Sequence, residues 1–300
     1  MSAVIEKSGV RVRPTGAALA ADIEGIDLSV PLAPEALAAI KQAWGENLVL
    51  RFRGQKLSDE DLMRCSRHFG DLDWAPVAAA RVKVPGDDRY IEVAPEGRQY
   101  VMVISNVIED GKPIGQLGAY EAIWHTDMSY IEQPPSASAL YSLEVPPSGG
   151  DTGFCNMYLA YDTLPSHLRQ QIEGRVCRHD ASRNSAGELR RGFVDAPDPT
   201  QTVGAEHPIV RTHPVTGRKA LFLGRRRNAY VVGLPLEESE ALLDALWEHC
   251  TKPEFTWYQQ WRAGDLILWD NRCVMHRRDA FDPATRRVMH RTQIKGDGPF

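Results

Sequence analysis

Apolar residues in this chain fall mostly into short runs separated by Gly, Pro, Asn and Asp, a spacing that suits β-strands better than long helices. Runs at 48–52, 100–107, 139–145, 152–157, 208–212, 220–223, 255–261, 266–269 and 288–294 predict strands. Pro214-Val215-Thr216-Gly217 lies between two of them and predicts a hairpin connection. Helical spacing is confined to four places. Ala36, Leu37, Ile40 and Ala43 follow Pro34, and Ser58-Asp59-Glu60-Asp61 is a capping-box start for a helix ending near Gly70. A third helix is predicted over 161–174, and Leu242, Leu243, Leu246 and Trp247 form the stripe of a fourth over 235–250. Many short strands with few helices predict a mainly β fold with flanking helices (α+β), built on a β-sandwich or jelly-roll core. No repeat or low-complexity linker divides the chain, so a single domain over 1–300 is expected.

Composition removes several function classes. A formal net charge of −5 argues against nucleic-acid or polybasic membrane partners. The five cysteines are scattered without a Cys-x-x-Cys pair, which favours reduced thiols in a cytoplasmic protein. Residues 1–25 lack a signal-peptide apolar region, and no apolar stretch is long enough for a transmembrane helix. No glycine-rich strand-to-helix loop is present, so nucleotide chemistry is not expected.

Candidate chemistry centres on Trp124-His125-Thr126-Asp127. On an extended segment His125 and Asp127 would share a face and could reach one metal. His276 is the best third ligand, because an apolar strand, Leu266-Ile267-Leu268-Trp269, runs into Asp270-Asn271-Arg272 just before it and places it at a strand's exit. His68 and His249 close helices, His213 precedes a proline in the hairpin turn, and each has a sufficient structural role there. Strand alternation places Arg287, Met289 and Arg291 on one face and Arg286, Val288 and His290 on the other. If that face turns inward, two arginines in one cavity call for anionic ligands, which guanidinium binds through paired hydrogen bonds; an exposed edge strand with solvated arginines is the alternative. Gly149-Gly150-Asp151-Thr152 marks a tight turn with a hydroxyl beside it.

These residues, at these spacings and in this order, resemble the taurine dioxygenase / 2,4-dichlorophenoxyacetate dioxygenase family, from about residue 10 to the C-terminus. The resemblance implies a double-stranded β-helix (jelly-roll) core in which His125, Asp127 and His276 bind Fe(II). It also implies that Arg287 and Thr152 hold the distal carboxylate of 2-oxoglutarate, the co-substrate used with O2, and that Arg291 receives the acidic group of the main substrate. The implied reaction is hydroxylation of a small anionic molecule with release of succinate and CO2. Relatives that take taurine carry a histidine after a Phe-Gly-x-Leu stretch and an asparagine three residues before the motif Trp. Here Phe69-Gly70-Asp71-Leu72-Asp73-Trp74-Ala75 has no histidine, and Glu121 replaces the asparagine. Asp73 and Glu121 would repel a sulfonate, so a carboxylate-bearing, aromatic-compatible substrate is expected, with Trp74 and Tyr130 as packing groups. A taurine- or alkylsulfonate-type dioxygenase is the alternative. A zinc hydrolase or a non-catalytic jelly-roll binding module are alternatives of other classes.

Two arginine-rich segments stay open. Arg178, Arg183, Arg190 and Arg191 surround Asn184, Ser185 and Gly187 in a polar stretch at 178–193 that reads as a lid insertion. Arg225-Arg226-Arg227 reads either as a surface or subunit contact or as an attractor for an acidic substrate. A homo-oligomer, dimer or tetramer, is expected.

Overall fold

The computed structural model describes residues 5–7, 9–75, 80–83, 90–93, 100–190 and 192–300. Two sheets dominate them. The larger, ten-stranded sheet has its centre in the order Val49–Phe52, Leu266–Asp270, Ala137–Glu144, Val288–Ile294 and Met102–Ser105, all antiparallel. The smaller places Ala122–His125, Val274–Arg278, Thr152–Asn156 and Thr256–Gln259 side by side, also antiparallel. The architecture is therefore mainly β with few helices, as the hydrophobic runs predict.

Alternation within the large sheet explains how both of its faces are covered. Ala137, Ala139, Tyr141, Leu266 and Leu268 point to one side and pack with Ala36, Ala39, Ile40 and Ala43 of the helix Pro34–Asn47 and with Leu62 and Cys65 of Asp59–Arg67. Leu140, Ile267, Trp269 and Met289 point to the other side, into a core shared with Phe154 and Met275 of the small sheet. Phe154 and Trp269 meet across the gap at 5.6 Å between ring centroids. A cavity is lined by Leu140 and Trp269 of the large sheet and by Thr152 and His276 of the small one.

The helix at 58 starts as expected. Ser58 accepts from the Asp61 backbone N–H while the Asp61 side chain accepts from the Ser58 N–H. The predicted 161–174 helix is instead two short ones, Met157–Asp162 and Ser166–Ile172, because Pro165 cannot continue a helix across the intervening turn. The hairpin at 214–217 joins Val210–Thr212 to Lys219–Leu221. His276 does not sit at the exit of the preceding apolar strand. Residues 271–273 turn the chain from the large sheet into the small one, and His276 lies at the centre of the strand Val274–Arg278. All five cysteines are buried and free. Among the described residues no helix is long and apolar enough to cross a membrane. Arg191 lies outside the described residues.

Candidate active site

Small-sheet register creates the heart of the site. Ala122–His125 and Val274–Arg278 pair so that His125 and His276 are direct cross-strand neighbours, with ring centroids 4.2 Å apart. Asp127 reaches them differently from the extended geometry expected from the sequence. The strand ends at His125, and Asp127 lies in a turn in which Met128 adopts a positive φ of 49°. Its Oδ1 nonetheless lies 3.7 Å from His125 Nε2 and 3.8 Å from His276 Nε2. The three ligand atoms fall within 4.8 Å of one another, and all three residues are buried.

The surroundings of these groups suit a cation. His125 Nδ1 donates to the Ile123 carbonyl at 2.7 Å, which fixes the tautomer and leaves Nε2 to present its lone pair. His276 is stacked against Phe154 and Trp269, and burial, with His125 nearby, pushes its pKa down to about 3 and keeps it neutral. Burial alone would raise the Asp127 carboxyl, but the Arg291 guanidinium beside it leads the groups that hold it well below the ordinary carboxylate range. Two imidazole nitrogens and one carboxylate, facing a common point, match the ligand set of non-haem Fe(II).

Asp127 is held from the large sheet. Ser138 Oγ donates to its Oδ2 at 2.9 Å, and Arg291 Nη1 donates to Oδ1 at 3.2 Å and to Oδ2 at 3.3 Å. Asn271 grips its backbone, accepting from the Asp127 N–H at 2.9 Å and donating to its carbonyl at 3.0 Å. Ser138, Arg291 and Asn271 thus join the two sheets at the carboxylate. The alternation argument for the last strand holds. Arg287 and Arg291 are buried toward the cavity, whereas His290 turns the other way and contacts Asp59 at 2.5 Å.

Arg287 lies at the start of that strand and is 2% exposed. Its side chain sits between the rings of Trp261 and Phe281, and its Nε has no hydrogen-bond partner. Burial, then the neighbouring Arg278, pushes its pKa down to about 9. Among the described residues it has no carboxylate within ion-pair distance, and a buried cation so placed is strongly unfavourable and suits an anion. Thr152 shares the cavity, its Oγ1 accepting from Trp261 Nε1 at 2.9 Å. Gly149 and Gly150, both with φ near 70°, let the backbone pass close by. A Cβ on Gly150 would lie 3.4 Å from Arg287 Nε, and one on Gly149 only 2.8 Å from the Ala280 carbonyl oxygen.

One cavity of about 680 Å³ unites His125, Asp127, His276, Thr152, Arg287 and Arg291. Asp73, Trp74 and Tyr130 also line it, so both aromatic packing candidates reach the pocket. Glu121 does not. It is exposed and ion-paired with Arg277 on the outer face of the small sheet, so the repulsion expected of it falls away. Three arginines that sequence reasoning left unassigned or passed over, Arg190, Arg225 and Arg278, are lining residues too. Nothing in their spacing distinguishes them from solvated arginines.

Comparison with known proteins gives the class first. An alpha-ketoglutarate-dependent 2,4-dichlorophenoxyacetate dioxygenase from Cupriavidus pinatubonensis is 36% identical over 300 aligned positions, covering 96% of this chain and 98% of the relative. A taurine dioxygenase structure from Burkholderia xenovorans superposes with a TM-score of 0.75 at 33% identity, covering 97% of this chain and 91% of the other. The structure of AAD-2 in complex with Mn(II) and N-oxalylglycine superposes with a TM-score of 0.77 at 30% identity, covering 97% and 98%. This chain is an Fe(II)- and 2-oxoglutarate-dependent dioxygenase, an oxidoreductase that uses O2. It belongs to the taurine catabolism dioxygenase TauD, TfdA family, whose model matches residues 11–293. The zinc-hydrolase and binding-module alternatives are set aside with that finding.

Proposed function

We propose that this enzyme hydroxylates a small anionic, carboxylate-bearing molecule with an aromatic or other apolar body, releasing succinate and CO2. The observation that carries the reading is a single cavity joining the His125–Asp127–His276 triad to the buried Arg287, which has no carboxylate partner among the described residues. In this reading the triad holds Fe(II), and Arg287 with Thr152 holds the distal carboxylate of 2-oxoglutarate. Bound iron supplies the oxygen chemistry that couples decarboxylation of the keto acid to oxidation of a substrate C–H bond. The protein positions both partners and keeps water out. Trp74, Met102, Ile104 and Leu140 give the apolar wall, while Asn184, Ser185 and Arg190 come from the 178–193 segment, which we assign as a lid. Arg291 already donates to both Asp127 oxygens, so its first role is to hold that carboxylate, and only its remaining edge is left for substrate.

The two facing sheets form the double-stranded β-helix (jelly-roll) core of a single domain spanning 1–300. Two of the relatives compared above are named for an aryloxyacetate and for taurine, and the apolar wall of Trp74, Met102, Ile104 and Leu140 favours a substrate with an aromatic or other apolar body over taurine. We further assign the enzyme to the cytoplasm as a homo-oligomer, dimer or tetramer. The test is succinate release with Fe(II), 2-oxoglutarate and a panel of phenoxyacetate, phenoxypropionate, short alkyl sulfates and taurine. A carboxylate should stimulate release about tenfold or more over the substrate-free rate, and stimulation by taurine alone would overturn the substrate assignment. Arg287→Ala should raise the apparent KM for 2-oxoglutarate about a hundredfold with a much smaller change for the stimulating acid. Equal changes in both would remove Arg287 from the co-substrate site.

A further inference from the structure

The cavity wall carries five arginines against two aspartates, and the aspartates do not face all of them. Asp127 answers Arg291. Arg287 awaits the co-substrate, and Arg278 donates to the Leu117 and Tyr120 carbonyls. Arg190 and Arg225 remain. Both guanidinium groups lie over the ring of Tyr130, at 3.9 and 5.4 Å from its centroid. Among the described residues neither has a carboxylate within ion-pair distance. Arg225 is 7% exposed, and among the described residues its side chain donates only to the Arg183 carbonyl. Its neighbours are treated otherwise: Arg226 is ion-paired with Glu240 and Asp244, Arg183 with Asp195, and Arg178 with Glu206. Burial, then Arg190, pushes the Arg225 pKa down to about 10, against the opposite pull of Tyr130, Asp180 and Asp127, and Arg225 lines the same cavity as the triad. Two like charges on one aromatic ring, one of them nearly buried, are an arrangement that an anion would stabilise.

We infer that Arg225 and Arg190, braced on Tyr130, form the clamp that reads the substrate's anionic headgroup, and so determine specificity in place of Arg291. The inference rests on the small-anion reading above. The ligand is a monoanionic oxyanion, carboxylate or sulfate, on an apolar body that packs along Trp74 and Leu140. A planar guanidinium pair can meet either headgroup through parallel hydrogen bonds, while the neutral amide analogue of the acid would lose the charge-assisted part.

The test is equilibrium binding by calorimetry to enzyme loaded with Fe(II) and 2-oxoglutarate, without O2, using phenoxyacetate, hexyl sulfate and neutral phenoxyacetamide. Wild type should bind one of the anions at least about tenfold more tightly than the amide, and the anion preferred identifies the headgroup. Arg225→Gln and Arg190→Gln should each weaken the anion about ten- to a hundredfold and move the amide less than about threefold. Arg225→Lys should restore part of the loss. An unchanged anion-to-amide ratio in both Gln variants would overturn the clamp and leave the small-anion reading standing. No anion preference in wild type would sink both. A rise in the KM for 2-oxoglutarate as large as the loss of anion affinity would reassign the pair to the co-substrate. Should Arg225→Gln unfold, as its melting temperature would reveal, the less buried Arg190→Gln still decides the question.

Discussion

Asn271 is the residue through which the two sheets agree on where Asp127 stands. Its side-chain amide accepts from the Asp127 N–H and donates to the Asp127 and Pro135 carbonyls, so three backbone groups depend on it. Truncation leaves buried amide and carbonyl groups unpaired in a turn that already contains a positive φ at Met128. Asn271→Ala is therefore expected to weaken Fe(II) or Mn(II) binding about ten- to a hundredfold, as loss of supporting contacts around metal ligands does. Titration calorimetry with Mn(II) would measure it, and unchanged affinity with a lower melting temperature would reduce Asn271 to a purely structural part. Gly224 makes a complementary case. Its carbonyl accepts from Thr126 N–H inside the motif, its φ is +63°, and a Cβ there would come within 2.0 Å of His179 Nδ1. Gly224→Ala combines left-handed strain with overpacking, each costing about 1–3 kcal/mol, so its urea midpoint should fall sharply.

At the level of elements, the helix Asp59–Arg67 tests how local signals support the site. Its capping box is complete, and Asp59 at its first turn meets His290 on the reverse side of the strand carrying Arg291. Ser58→Ala should cost about 1 kcal/mol in chemical denaturation, and a negligible change would mean that packing of Leu62 alone secures the helix. This helix and the strand Val288–Ile294 were legible in the sequence because caps and strict alternation are local rules. The strands Ala122–His125 and Val274–Arg278, which carry both histidines, were not. The first is short and has a register irregularity between Ala122 and His125, and the second is buried at four of five positions, so neither alternates cleanly. The triad itself was readable only as a motif at family spacing. The arginines were the least legible part. Arg225, Arg226 and Arg227 are identical side by side, yet one lines the cavity, one is ion-paired and one is exposed. Which partner an arginine meets is decided by elements distant in sequence, such as the acidic face of the helix Leu236–Cys250.

Across the whole molecule, buried neutral histidines set the acid limit of stability. His179 is fully buried, with neither ring nitrogen hydrogen-bonded, and burial, then His207 and Arg225, pushes its pKa down to about 3. His276 is displaced to about 3 as well. A histidine whose folded pKa lies below its unfolded value near 6.5 contributes its full stability above that value. As pH falls, the unfolded chain takes up a proton that the folded chain refuses, and the loss continues down to the folded pKa. Each such group costs about 1.4 kcal/mol per pH unit, so roughly 2 kcal/mol has gone by pH 5, a large share of an ordinary folding free energy. Carboxylates act in a different window. Asp270 is opposed by burial but lowered to about 2 by Arg272 and His213, so its contribution persists above about 3.8 and declines only as pH falls from there through 2. Between pH 6.5 and 5 the histidines should therefore dominate. Urea unfolding of metal-free wild type and His179→Leu at pH 7.5, 6 and 5 separates the contribution. The variant should be less stable at pH 7.5 if the ring packs well, yet lose about 2 kcal/mol less than wild type on going to pH 5. Parallel losses in the two proteins would mean that His179 takes up its proton in the folded state, and that the acid sensitivity originates at the triad instead.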